Sequence, residues 1–129
     1  LSEYPTIQVV IDVHRDSILT DDGTAYKTSC TIDGTEMAQL MFVVGTDEGG
    51  LYHPNWQQNL NYVTGLQCRL NRSYPGLMRP VNLRTQRFNQ HASAGSMLIE
   101  VGSSGNTMTG ALAAIRLFGQ TLADDLTGA

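Results

Sequence analysis

Met97 to Val101 (MLIEV) is a short apolar run that stops at Gly102-Ser103-Ser104-Gly105-Asn106. It gives way to Thr107–Leu122, where Met108, Leu112, Ile115, Phe118 and Leu122 recur at helical spacing. A buried strand that passes through a small-residue loop into an amphipathic helix is a building unit of layered α/β domains. The unit predicts a doubly wound sheet, in which sites form beyond the carboxyl ends of the strands. Asn106 is the expected N-cap. Asp124 and Asp125 oppose the negative end of the helix dipole, so the helix is expected to fray there.

The rest of the chain fits the same class. Thr6–Val13 (TIQVVIDV) is rich in β-branched residues and predicts a strand buried on both faces. Ala25–Asp33 alternates, with Tyr26, Thr28, Cys30 and Ile32 on one side, and Asp33-Gly34 predicts a two-residue hairpin turn. Met37–Val44 is the expected returning strand. Pro54–Arg72 reads as a helix with Pro54 in its first position and an apolar stripe of Trp56, Leu60, Val63, Leu66 and Leu70. Pro80–Phe88 is a candidate further strand.

A length of 129 residues suits one domain, and 41% hydrophobic with 16% charged residues excludes a disordered chain. A net charge of −4 with eight Lys and Arg argues against nucleic acid as a partner, because neutralising phosphates takes a basic face. No apolar run approaches the ~18 residues of a membrane span. Cys30 and Cys68 lack CxxC spacing and read as buried small apolar residues, with a disulfide as the alternative.

Few residues here bear chemistry. His14 ends the first expected strand; it is either a strand-end histidine bonded to a loop or a metal ligand whose ring a carboxylate such as Asp16 orients. Glu100 lies inside an apolar strand, where an ionised carboxylate needs a partner. It is either salt-bridged to an arginine or held in a cleft as a general acid/base. The Gly102–Asn106 loop has backbone N–H groups to offer an anion but lacks the phosphate-loop pattern. His53 reads as a loop or cap residue. Arg84 and Arg87, followed by Phe88, Asn89, Gln90 and His91, form either a solvated edge or a lining for a charged or amide-rich substrate. No GxSxG or SxxK nucleophile pattern is present.

Taken together, VVIDVHRDS, FVVGTDEGGLYHPNWQQNL, and YPGLMRPVNLRTQRFNQHASAGSMLIEVGSSGNT with its following helix resemble the catalytic domain of the stage II sporulation protein P family. The resemblance runs in order along nearly the whole chain. It implies a zinc-dependent N-acetylmuramoyl-L-alanine amidase, also credited with cutting peptide cross-links, with a twisted mixed sheet flanked by helices. By resemblance, His14 is one of three zinc ligands and Glu100 the glutamate beside the metal-bound water. The Arg84–Arg87 stretch is a family hallmark, and both arginines are carried as substrate-binding residues. The family's other His and Glu ligands belong to an upstream His-Thr-His segment that this sequence lacks. Residues 1–129 are therefore expected to be the carboxyl-terminal part of one amidase domain, with poor zinc binding and little activity alone and an unpaired sheet edge. The implied partners are a peptidoglycan strand, a lytic transglycosylase and a membrane scaffold of forespore engulfment. The implied location is extracytoplasmic, at the sporulation septum and engulfing membrane, with an amino-terminal anchor in the full-length protein. A non-catalytic module that binds wall glycopeptide or partner proteins is the alternative, and a phosphate-binding regulatory domain is a third reading.

Overall fold

A computed structural model describes residues 1–128. Along the chain run strands β1 (Val9–Asp16), β2 (Ser29–Ile32), β3 (Thr35–Ala38) and β4 (Leu40–Gly45), then helix α1 (Trp56–Ser73). Strand β5 (Asn82–Arg84), a 3₁₀ turn (Gln90–Ala92), strand β6 (Gly95–Ser103) and helix α2 (Met108–Thr127) complete it. The main sheet has the order β1-β6-β4-β5, and β2-β3 form a separate hairpin. β1 is parallel to β6, β6 antiparallel to β4, and β4 parallel to β5, so the sheet is mixed. The class is α/β.

The period-two alternation of β4 and β6 divides their side chains between two faces. Leu40, Phe42 and Val44 of β4, with Met97, Ile99 and Val101 of β6, pack against Val63, Leu66 and Leu70 of α1 and Ala114, Phe118 and Leu122 of α2. Met41, Val43 and Leu98 point the other way and form a second, smaller apolar cluster with the half-buried Phe88. Both helices thus lie on one face. The arrangement is two-layered rather than doubly wound: neither helix covers the second face of the sheet, although Met41, Val43 and Leu98 on it are buried.

Several elements differ from expectation for local reasons. β1 starts three residues later than expected and is an edge strand: it pairs with β6 alone, and Val13 is 59% exposed. Past Ile11 its apolar run gives way to Asp12, His14, Arg15 and Asp16, with Val13 the one apolar residue among them. The hairpin turn is as expected, with Asp33 (φ 48°) and Gly34 (φ 75°) both left-handed, the geometry of a type I′ turn. The strand after it is broken at Gln39, whose N–H donates to Thr28 O and whose carbonyl accepts from Gly102 N. β3 stays with the hairpin while β4 enters the main sheet.

Helix α1 begins at Trp56 with Asn55 as its N-cap, so Pro54 precedes the helix. The N-cap of α2 is Thr107, whose Oγ1 accepts from Gly110 N at 3.1 Å, and not Asn106. The end of α2 does not fray at the aspartates. Asp125 pairs with Arg69 (3.1 Å), Asp124 accepts from Gln120 (2.8 Å), and the helix closes on left-handed Gly128. Both cysteines are free thiols; Cys30 is half-buried, but Cys68 is exposed on α1 rather than buried.

Candidate active site

The open face is built from the alternate residues that the helices do not cover. In the β1–β6 register Asp12 stands opposite Leu98 and His14 opposite Glu100. In the β4–β6 register Met41 stands opposite Glu100 and Val43 opposite Leu98. Opposed residues share a face, so His14, Glu100 and Met41 form one row across three strands, with Asp12, Leu98 and Val43 in the row beside it. Beyond that row the ladder slips: after His14–Glu100 the next pair is Asp16–Ser103, an extra residue in β6 that left-handed Gly102 (φ 70°) absorbs.

Polar side chains gather at this end of the face. His14 Nε2 lies 3.0 Å from Asp12 Oδ1, so the carboxylate that orients the ring is Asp12 and not Asp16. Both aspartates stand two residues from His14, so alternation alone does not choose between them. Asp16, beyond the slip, instead accepts from Arg79 Nη1 at 2.8 Å. Glu100 is half-buried, and its Oε2 is a buried atom without a hydrogen-bond partner. Of the two alternatives for Glu100, no salt bridge to an arginine is found among the described residues; the nearby Arg79 pairs through Nη1 with Asp16. Burial raises the Glu100 pKa above its ordinary value; Asp16 and, less, Asp12 add to this, while His14 and Arg79 oppose it. A carboxyl group so placed takes and returns a proton more readily near neutral pH than a solvated one.

The other candidates lie elsewhere. Arg84 pairs in register with Gly45 at the carboxyl end of β4, four residues beyond the Met41 that faces Glu100. At ~3.3 Å per strand residue this is about 13 Å along the sheet. Arg84 borders a cleft with Asp47, Glu48 and Trp56, and Arg87 donates to Tyr52 O at 3.0 Å. The structure brings His14 and Glu100 together and leaves both arginines at the opposite end. His53 lies in the loop before α1, as expected, and is fully buried there at 1% exposure; neither ring nitrogen has a hydrogen-bond partner among the described residues. His91 is exposed on the 3₁₀ turn.

The loop after β6 is closed to an anion. Asn106 Oδ1 accepts from Ser103 N (2.8 Å), Gly105 N donates to Tyr26 O (3.1 Å), and Asn106 N donates to Ser103 O (2.9 Å). Its carbonyls in turn hold Arg15, which donates to Ser103 O, Ser104 O and Asn106 O. With the N–H groups of Gly102, Ser103, Gly105 and Asn106 bonded to the protein, the loop keeps little on which a phosphate site would rest. The sequence reading missed two residues of the face. Asp12 was legible as the i, i+2 neighbour of His14, whereas nothing local marks Arg79.

Among the described residues no group of three or more His, Cys, Asp or Glu side chains converges in a way that could hold a metal ion. The face contributes one imidazole with an orienting carboxylate and one buried carboxyl with an unpartnered oxygen. That set could supply one metal ligand and one proton acceptor, fewer than the three protein ligands of a catalytic zinc site.

What the fold and face define is a two-layer α/β protein with an imidazole–carboxyl pair on its open sheet face. The family model of stage II sporulation protein P matches residues 1–123. The chain belongs to that family, a family of sporulation proteins. Stage II sporulation protein P of Bacillus subtilis (strain 168) is 29% identical over 113 residues, which cover 84% of this chain and 26% of that relative. The chain thus spans about a quarter of the length of this relative. No solved structure matches it. No helix among the described residues is long and apolar enough to cross a membrane.

Proposed function

We propose that this chain carries the acid/base half of a peptidoglycan amidase centre, one that cleaves the amide between N-acetylmuramic acid and L-alanine during sporulation. The observation that carries the reading is the placement of Glu100: half-buried, with a free oxygen, directly across the ladder from His14. His14 would be one zinc ligand, its ring steadied by Asp12, and further ligands would come from outside these 129 residues. Zinc, when bound, supplies a Lewis acid that polarises the amide carbonyl and acidifies water. Glu100 takes the proton as the water oxygen bonds to the carbonyl carbon, and returns a proton to the amine nitrogen as the C–N bond breaks. A general acid/base of this kind contributes roughly 10²–10⁴-fold. The same residues are suited to cutting peptide cross-links.

The reading extends to the setting that the family resemblance implies. We place the longer protein outside the cytoplasm at the sporulation septum and engulfing membrane, anchored in the membrane, acting on a peptidoglycan strand with a lytic transglycosylase and a membrane scaffold. Arg84 and Arg87, some distance along the sheet, would grip parts of the strand remote from the cleaved bond.

The test is Glu100→Gln in a longer, zinc-loaded form of the protein. Muropeptide release should fall at least ~10²-fold with metal content unchanged. Near wild-type release from a folded, zinc-replete variant would end the assignment. One observation favours a second reading, a module that binds wall glycopeptide without cutting it: no three-ligand metal group is found among the described residues. Glycopeptide binding by the longer protein, without zinc uptake or release of product, would establish that reading instead.

A further inference from the structure

Arg79 follows the buried pair Leu77-Met78, and its backbone N–H donates to Leu40 O at 2.7 Å, which pins its Cα beside the start of β4. From there the side chain crosses the open face toward β1, where Nη1 donates to Asp16 Oδ2 at 2.8 Å. The sheet order places β6, and with it the carboxyl end beyond Glu100, between these two anchors. The guanidinium is therefore stretched over the strand that carries the buried carboxyl. It remains accessible, since the side chains of Arg79 and Asp16 are 24% and 22% exposed.

A guanidinium has five N–H donors in a rigid fork. Asp16 is the one hydrogen-bond acceptor recorded for the Arg79 side chain among the described residues, so most of the fork is unspent. An arginine fixed by one arm and otherwise free is preorganised to bind a ligand oxygen. The charge of the face decides which kind. Three carboxyl groups, Asp12, Asp16 and Glu100, stand against the Arg79 guanidinium and the His14 imidazole. A carboxylate or phosphate would be repelled by that surplus of acidic groups, whereas a neutral carbonyl meets the donors at no such penalty.

We propose that Arg79, held in place by Asp16, binds the carbonyl oxygen of a neutral amide whose C–N bond lies over Glu100. The assignment rests on the amidase reading for the identity of the ligand and not for the binding itself. As water adds to the carbonyl carbon, charge grows on that oxygen, and a charge-assisted N–H bond strengthens as it does.

The test uses calorimetric titration of this chain with the amide of N-acetylmuramoyl-L-alanine, a neutral probe, and with N-acetylmuramoyl-L-alanine, its carboxylate counterpart. The wild-type chain should prefer the neutral probe. Arg79→Met should weaken that binding at least tenfold, and Arg79→Lys should recover only part of it, since an ammonium lacks the fork. Asp16→Asn should weaken it several-fold by releasing the guanidinium, and Arg116→Met on exposed α2 should leave it unchanged. Thermal midpoints of the variants identify any loss of fold, and the Lys variant keeps the charge should the Met variant unfold. Absence of binding by the wild-type chain, or equal affinity in folded Arg79→Lys and Arg79→Met variants and the wild type, overturns the inference. So does a preference for the carboxylate probe. Arg79-dependent binding without hydrolysis in the longer, zinc-loaded protein sinks the amidase reading and leaves this one; hydrolysis and binding indifferent to Arg79 do the reverse.

Discussion

His14 and Glu100 stand directly opposite each other on the parallel β1–β6 ladder, one at the exposed edge of the sheet and the other in its central strand. Neighbouring strands lie ~4.8 Å apart, which puts the two side chains within reach of one small ligand. The pair joins an accessible imidazole to a carboxyl whose pKa burial raises. An edge strand is the element best able to offer a ligand to the outside, and a central strand is the one best able to hold a carboxyl in a low dielectric.

Glu100→Gln should leave the chain as stable as the wild type or more so. The carboxyl has no ion-pair partner to strand, and its buried oxygen makes no hydrogen bond that the amide would lose. Thermal midpoints of the two proteins at pH 7 check this. A marked drop in the variant would show that Glu100 is a structural carboxylate after all.

His53 should make stability fall in mild acid. Burial, and then the nearby His91 and Arg87, hold its pKa below the ordinary 6.5, while Asp47 opposes them. Between the lowered folded value and 6.5 the unfolded chain binds a proton that the folded chain does not, so stability is full above about pH 6.5 and is lost as pH falls through that window. Denaturant midpoints measured from pH 7.5 down to 5 should decline in the wild type and decline less in His53→Gln. Parallel curves would mean that the imidazole is not kept neutral by its surroundings.

Phe118 and Leu112 belong to one sequence stripe, but the structure separates them. Phe118 is buried edge-on against Phe42, with ring centroids 5.9 Å apart, whereas Leu112 is 45% exposed. Phe118→Ala should cost about 3–5 kcal/mol, the usual range for deleting a buried aromatic. Leu112→Ala should cost below about 1 kcal/mol. Equal losses in denaturant unfolding would contradict the placement of α2 on the sheet.

How far the fold could be read from the chain differs by the kind of information needed. The Asp33-Gly34 turn and the two amphipathic helices were legible because turn chemistry and apolar periodicity are local. The break at Gln39 was not, since an apolar run looks alike whether it stays in one sheet or crosses to another. The bonds of three buried side-chain amides were not legible either. Asn59 reaches from α1 to the carbonyls of Ser93, Ala94 and Ser96. Gln90 accepts from Gly45 N and donates to Val43 O, bonding the β4 backbone as a strand would. Asn106 ties the loop after β6 to Thr28. Each looks like an ordinary loop or helix polar residue until the segment it bonds is in place. The site shows the same division: His14 and Glu100 stood out singly, but a parallel register and the reach of Arg79 are long-range facts with no local trace.

Gly102 links the fold to the candidate site, and its replacement tests that link. It is the left-handed residue (φ 70°) through which β6 takes up its extra residue just beyond Glu100. A Cβ at this position would stand 2.7 Å from Asn106 Oδ1 and 2.8 Å from Ala38 Cβ, and neither can retreat freely. Asn106 is buried and bonded to Ser103 N and Thr28 O, and Ala38 lies in the core. Gly102→Ala therefore meets both a disfavoured backbone and a clash, each of order 1–3 kcal/mol. The expected outcome is a loss of unfolding free energy of about 2–6 kcal/mol in all, well beyond an Ala substitution at Gly65, where nothing lies within 4 Å. Because Asp16 pairs with Ser103 on the far side of the slip, straightening β6 would also move Asp16 relative to Arg79. Crosspeaks of the Asp16 and Ser103 amides in an NMR spectrum of the folded variant should shift more than those of Leu98 and Ile99. A Gly102→Ala protein with wild-type stability and unmoved crosspeaks would show that the bulge does not set the geometry of the face.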